Sequence, residues 1–180
     1  MGRVIYVTGA PATGKSSICN AISELDMQTR IFSYSAMLRE TVASRTAHSL
    51  DAAEIRRQSA AIVTREDVQA TDELLVREVA AARQSHHVIV DSHPVTKEAY
   101  DFRITAFTVE QLQALDPDAI VCTYTPTEEL ERRIHADPQG RVLSSPYELD
   151  MHVKLQATVA VQYGVILGVK SRLFINPFDK

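Results

Sequence analysis

The chain has 180 residues, 45% hydrophobic and 23% charged, with a formal net charge of -4; this suits one globular domain whose core needs neither disulfides nor a structural metal. A pI near 5.9 excludes the basic surplus of general nucleic-acid or anionic-membrane binders. No run of about 18 apolar residues occurs, and no charged leader precedes an apolar stretch, so a soluble cytoplasmic protein is expected.

Taken in chain order, short β-branched runs alternate with helical patterns. The first run is Val4-Ile5-Tyr6-Val7, and the spacing of Ile18, Ile22 and Leu25 predicts a helix over Lys15–Leu25 with one apolar face. Arg30-Ile31-Phe32 is the second run. A stripe of Ala61, Val68, Leu75, Val79 and Ala82 predicts two helices before the third run, Val88-Ile89-Val90. The fourth run, Ala119 to Cys122, leads into a short helix carrying Leu130 and Ile134, with a Thr of Thr125-Pro126-Thr127 as its expected cap. A last helix at about 147–167 aligns Leu149, Val153, Ala157, Ala160 and Gly164, and Arg172 to Ile175 forms the fifth run. Near-continuous apolar runs suit strands buried on both faces, so the pattern predicts a doubly wound α/β fold with a parallel sheet. No repeat or linker divides it, and one domain spanning 1–180 is expected. Cys19 and Cys122 lack metal-site spacing and read as buried thiols.

The chemistry is carried by Gly9-Ala10-Pro11-Ala12-Thr13-Gly14-Lys15-Ser16, a glycine, four residues, then Gly-Lys-Ser, between a strand and a helix. In such a loop the backbone N–H groups and the positive end of the helix converge on a β-phosphate. Gly9, Ala10, Ala12, Thr13, Gly14, Lys15, Ser16 and Ser17 are therefore candidate nucleotide-binding residues. Lys15 would reach the β- and γ-phosphates, and the Ser16 hydroxyl would take one magnesium position. Asp91, at the carboxyl end of the strand His87-Val88-Ile89-Val90, has the position of a Walker B carboxylate and is the second candidate metal ligand; a turn-capping Asp is the alternative. His93, two residues on, is a candidate contact to a substrate phosphate. The other histidines lack ligand spacing, and His48, His135 and His152 read as surface residues. Arginines suit phosphate because their planar fork binds two oxygens; Arg39, Arg56 and Arg57 follow the second run, and Arg132, Arg133 and Arg141 flank a Pro- and Gly-containing stretch that reads as a lid at 136–147.

Together these residues resemble the P-loop nucleoside monophosphate kinases, most closely the archaeal-type adenylate kinases. The resemblance rests on the loop, Phe32-Ser33-Tyr34-Ser35, Arg56, Asp91-Ser92-His93, Leu115-Asp116-Pro117-Asp118, Arg132-Arg133 and Tyr163-Gly164-Val165. It implies a P-loop three-layer sandwich, a five-stranded parallel sheet in the order 2-3-1-4-5 with helices on both faces, an acceptor-binding segment at 33–60 and a short lid. It also implies ATP and Mg2+, and transfer of the γ-phosphoryl group to a nucleotide. By position, Ser35, Arg39 and Arg56 would hold the acceptor, Tyr100 and Phe102 would cover its base or sugar, Arg133 with Asn176 and Pro177 would border the adenine of ATP, and Arg141 would reach the phosphates on lid closure. Lys15, Asp91, Arg133 and Arg141 are the expected catalytic set. Departures from the family pattern, Gln139 in the lid and Ala157 in the last helix where arginines are usual, leave a metabolite kinase acting on a hydroxyl, with Asp91 as base, and an ATP-binding regulator as alternatives.

Overall fold

The computed structural model describes residues 1–46, 62–98, 101–136 and 144–175. Five parallel strands form one sheet: β1 (Val4–Gly9), β2 (Thr29–Ser33), β3 (His87–Asp91), β6 (Ala119–Tyr124) and β7 (Lys170–Ile175). Their order is β2-β3-β1-β6-β7, which is 2-3-1-4-5 when only the sheet strands are counted. Between β3 and β6 lies a two-stranded antiparallel hairpin, β4 (Val95–Lys97) and β5 (Phe102–Ile104), where the sequence suggested only a long loop. Six described helices, α1 (Lys15–Leu25), α2 (Tyr34–Thr46), α3 (Arg65–Ala82), α4 (Val109–Leu115), α5 (Thr127–His135) and α6 (Pro146–Leu167), complete the architecture.

Strand alternation divides the core into two layers. On β1, Val4 and Tyr6 join Leu75 and Val79 of α3, Leu112 and Leu115 of α4, and Ala160 and Tyr163 of α6. Val7 faces the other side and packs with Cys19 of α1 and Ile89 of β3. Both cysteines are free and buried, and burial pushes the Cys122 thiol up to about 11. Three helices begin with reciprocal capping boxes, Thr64 with Asp67, Thr108 with Gln111 and Ser145 with Glu148, the last followed by Pro146 in the first turn. Gly164 lets α6 lie directly on β7, because a Cβ there would collide with Ser171 Oγ.

Three local expectations are corrected. Of the apolar face read into α1, Ile22 and Leu25 are exposed, and the fully buried residue is Cys19. α5 starts on Pro126 with no side-chain cap, since the Thr125 hydroxyl accepts from Arg133 Nη1 at 3.4 Å instead. β7 is not buried on both faces: Leu173 and Phe174 are about half exposed, as befits the last strand of the sheet. Of the expected stripe, Val68, Leu75, Val79 and Ala82 lie on α3, while Ala61, on the side of the other expected helix, lies outside the described residues.

Candidate active site

The phosphate loop leaves β1 at Gly9, where an added Cβ would collide with the Thr123 hydroxyl and lie 2.9 Å from the Thr123 carbonyl. Only a glycine lets β1 turn this close to β6. Thr13 then locks the turn: its hydroxyl donates to the Ala10 carbonyl at 2.8 Å and meets Thr123 Oγ1 at 2.7 Å, while Thr123 Oγ1 donates to the Thr8 carbonyl at 3.2 Å. Ala12 and Gly14 follow with φ of 65° and 81°, a left-handed geometry that is costly for the alanine and free for the glycine. Gly14 caps α1 without a side chain, and the first turn holds no acidic residue. The start of α1 thus offers backbone N–H groups at a positive helix end that has no side-chain cap and no acidic residue in its first turn, which suits an incoming phosphate.

Lys15 Nζ pairs with Asp91 Oδ1, both side chains almost enclosed. The sheet register explains the meeting: Asp91 sits level with Val7 on one side and with Ser33 on the other, so the carboxylate emerges at the same strand ends as the loop. A hydroxyl on an exposed first-turn residue, Ser16, and a carboxylate at a strand end form a donor set that suits Mg2+, a hard cation that takes few protein oxygens and keeps waters. Arg133, on α5, donates from Nη1 to the Ala12 carbonyl at 3.2 Å, and its Nε donates to Glu129 at 2.6 Å. Hydrogen bonds from Arg132 and Arg133 pull Glu129 down to about 2. Arg133 is thus fastened against the loop.

Beyond Asp91 opens a cleft lined by Tyr34, Ser35 and Leu38 of α2, Val68 of α3, and His93, Thr96, Arg103 and Thr105 around the hairpin. Tyr34 is anchored from behind: its hydroxyl donates to Asp72 Oδ1 at 2.7 Å, and Gln111 Nε2 donates to Asp72 Oδ2 at 2.9 Å. Burial lifts Asp72 above the ordinary carboxylate range, and burial followed by the Asp72 hydrogen bond lifts Tyr34. The cleft brings together Ser35 and His93, two of the expected acceptor residues. Arg39 lies further along α2, half-buried.

Phe102 takes a different place from the one its sequence position suggested. Side chains alternate along a strand, so Phe102 turns to the face of the hairpin that packs on α6, its ring 5.3 Å edge-on from His152 and beneath Lys97 Nζ. His152 is likewise not a surface residue: it is 5% exposed, and its Nε2 donates to the Val95 carbonyl at 3.0 Å. A carbonyl can only accept, so this nitrogen carries the proton. Burial lowers the His152 pKa. Gln156, fully buried, donates to the same carbonyl at 2.9 Å and accepts from Thr8 Oγ1 at 3.1 Å, tying the hairpin to the strand that feeds the phosphate loop. Arg56, Tyr100, Arg141, Asn176 and Pro177 lie outside the described residues.

Comparison with known proteins agrees with this geometry. The sequence profile of a family described as AAA domain matches residues 8–150. The chain belongs to this AAA-domain family. As an AAA-domain chain it is a P-loop domain of the kinase type, and its likeness to archaeal adenylate kinases runs the whole length. It is 25% identical over 176 residues to the adenylate kinase of Methanothermobacter thermautotrophicus, covering 97% of this chain and 90% of that one. With the adenylate kinase of Pyrococcus furiosus it shares 24% identity over 183 residues, covering 100% and 89%. The shikimate kinase of Acinetobacter baumannii, solved with shikimate, has the same fold, with a TM-score of 0.59 at 12% identity over 100% of this AAA-domain chain and 86% of the other. Among the described residues no helix is long and apolar enough to cross a membrane.

The motifs at Leu115 to Asp118 and Tyr163 to Val165 serve the frame around the site. Asp118 Oδ2 accepts from Val4 N at 2.8 Å and fixes the start of β1, while Tyr163 OH accepts from Phe107 N at 2.7 Å. Reading the sequence missed Arg103, Thr123, His152 and Gln156. Thr123 carried a usable signal, as a polar residue at the carboxyl end of an apolar run, the position that also marked Asp91.

Proposed function

We propose that this protein is a cytoplasmic ATP-dependent phosphotransferase that moves the γ-phosphoryl group of Mg-ATP to a nucleoside monophosphate. The observation that supports it is the position of the Lys15–Asp91 pair, with a phosphate loop on one side and a cleft bearing Ser35 and His93 on the other. The N–H groups of the first turn of α1 and Lys15 hold the β- and γ-phosphates, Arg133 steadies the loop from α5 and borders the nucleotide, and Ser16 with Asp91 hold magnesium. Magnesium, when bound, supplies neutralisation of phosphate charge. An acceptor phosphate oxygen forms the new bond to the γ-phosphorus as the bond to the β,γ-bridging oxygen breaks, and ADP departs. Catalysis is positioning and charge compensation, with no covalent enzyme intermediate. Residues 33–60 as acceptor arm, 136–147 as lid with Arg141, and Asn176 with Pro177 beside adenine belong to the same reading.

A second reading, a kinase of a small-molecule hydroxyl, gains support from the likeness to a shikimate kinase and from the carboxylate of Asp91, which lies where a general base could take a hydroxyl proton. One panel separates the two. AMP, CMP, UMP, GMP and their deoxy forms are offered with Mg-ATP under coupled ADP detection. Turnover with at least one supports the nucleotide reading, and background rates with all of them refute it. Lys15→Ala is expected to remain folded and to lose nearly all turnover with any acceptor; activity at the wild-type level would refute both kinase readings.

A further inference from the structure

We propose that Arg103 recognises a phosphate monoester of the acceptor, so that the β4–β5 hairpin supplies a cation to the acceptor half of the site. The inference rests on the reading above in placing the acceptor in the cleft beyond Asp91.

The hairpin register decides which side chains can meet a ligand there. Thr96 is paired with Arg103, and Val95 and Lys97 with Ile104 and Phe102. In a two-residue alternation, Val95, Lys97 and Phe102 share one face, and that face is committed to α6: Val95 is fully buried, Phe102 lies against His152, and Lys97 Nζ is 3.2 Å from Glu148 Oε1. Thr96 and Arg103 take the opposite face, and both line the cleft together with Thr105 and His93. Adjacent residues thus have separate tasks, Phe102 structural and Arg103 facing the ligand.

The lining of the cleft combines two chemistries. Tyr34, Leu38, Val63 and Val68 give the lining an aromatic and aliphatic part that suits a planar base or sugar face, and with them come hydroxyls, an imidazole and, among the described lining residues, a single guanidinium, that of Arg103. Arg103 is held in place: its side chain is 30% exposed, and its Nε lies 2.9 Å from Glu98 Oε1. Glu98 is itself set by the turn of the hairpin, where its N–H donates to the Asp101 carbonyl at 3.0 Å. A guanidinium positioned by a neighbouring carboxylate loses less rotamer freedom on binding, and its fork matches two oxygens of a phosphate. Lys15, the cation of the phosphate loop, serves the donor nucleotide in the reading above.

The test uses inorganic phosphate, titrated calorimetrically into the full chain saturated with Mg-ADP so that the phosphate loop is filled. Wild type is compared with Arg103→Gln and Arg103→Lys. The expected result is phosphate affinity about tenfold weaker in Arg103→Gln, the loss of one charge-assisted pair, and an intermediate loss in Arg103→Lys, with Mg-ADP affinity unchanged within about twofold. Equal phosphate affinity in wild type and Arg103→Gln overturns the proposal, as does no measurable phosphate binding by wild type. If Arg103→Gln does not fold, unchanged affinity in Arg103→Lys overturns it. Failure of the nucleotide reading shows separately, as absence of turnover in the acceptor panel, because the phosphate titration needs no turnover.

Discussion

Replacement of Gln156 by leucine tests whether the link between α6, the hairpin and β1 is a structural hydrogen-bond network. Gln156 has no exposed surface, and neither has Thr8. Gln156→Leu keeps the approximate shape but removes the acceptor of Thr8 Oγ1 at 3.1 Å and the donor to Val95 O at 2.9 Å. The Val95 carbonyl keeps its bond from His152 Nε2, so its loss is about 1 kcal/mol or less, whereas the Thr8 hydroxyl loses its acceptor in a dry interior at about 1–3 kcal/mol. Added apolar contact from leucine offsets part of this, which leaves a net destabilisation of about 2 kcal/mol. With a urea m-value of roughly 2 kcal/mol/M for a domain of this size, the midpoint falls by about 1 M. The decisive comparison is the double variant Thr8→Val/Gln156→Leu. Removing both polar partners eliminates the orphaned hydroxyl, so the double variant is expected to be more stable than Gln156→Leu alone by about 1 kcal/mol, a coupling well outside simple additivity. A single variant within about 0.5 kcal/mol of wild type, or a double variant equal to the sum of the singles, refutes the reasoning.

Other outcomes follow from the same geometry. Gly9→Ala places a Cβ against the Thr123 hydroxyl and 2.9 Å from a backbone carbonyl that cannot step aside, and is expected to cost about 2 kcal/mol in chemical denaturation; a wild-type midpoint counts against the close approach of β1 and β6. His152 has a folded pKa below its ordinary 6.5, so the unfolded chain binds more protons in that window. Its contribution to stability is full above about pH 6.5 and falls with decreasing pH by at most about 1.4 kcal/mol per pH unit. The stability gap between wild type and His152→Gln is expected to shrink from pH 7 to pH 5, and a gap that grows reverses the sign of the argument. Arg133→Gln removes the donor to the Ala12 carbonyl and is expected to raise the KM for ATP about tenfold while leaving that of the acceptor unchanged; equal effects on both substrates contradict an arginine assigned to the loop.

The sheet was legible because its strands are apolar runs of four or five residues, a signal that survives without context. The phosphate loop was legible for a different reason: its glycines and lysine are required by backbone geometry and charge at fixed spacing. Asp91 followed from its place at the end of a buried run. The hairpin was not legible, since Val95 to Lys97 and Phe102 to Ile104 are three residues each, too short for a period of two to show. Without the hairpin register, the opposite faces taken by Phe102 and Arg103 were out of sight. His152 and Gln156 were missed because what makes them buried, the Val95 carbonyl, lies 57 and 61 residues away, and no local pattern encodes a partner at that distance. The face assigned to α1 failed because periodicity says which residues share a side of a helix, not which of them the rest of the chain covers.

The Lys15–Asp91 pair has a thermodynamic consequence for the order in which ligands can stabilise one another. An anion that draws Lys15 away strands a carboxylate in a nearly closed site, and a cation that engages Asp91 releases an ammonium group there; either alone leaves one charge uncompensated. An anion and a cation arriving together each remove the other's competitor. Linkage then requires that each raise the affinity of the other by the same factor, so that under the proposed function metal and nucleotide would be cooperative ligands through this one pair of charges. When both leave, the pair reforms within the protein and competes with rebinding at the concentration of a neighbouring side chain.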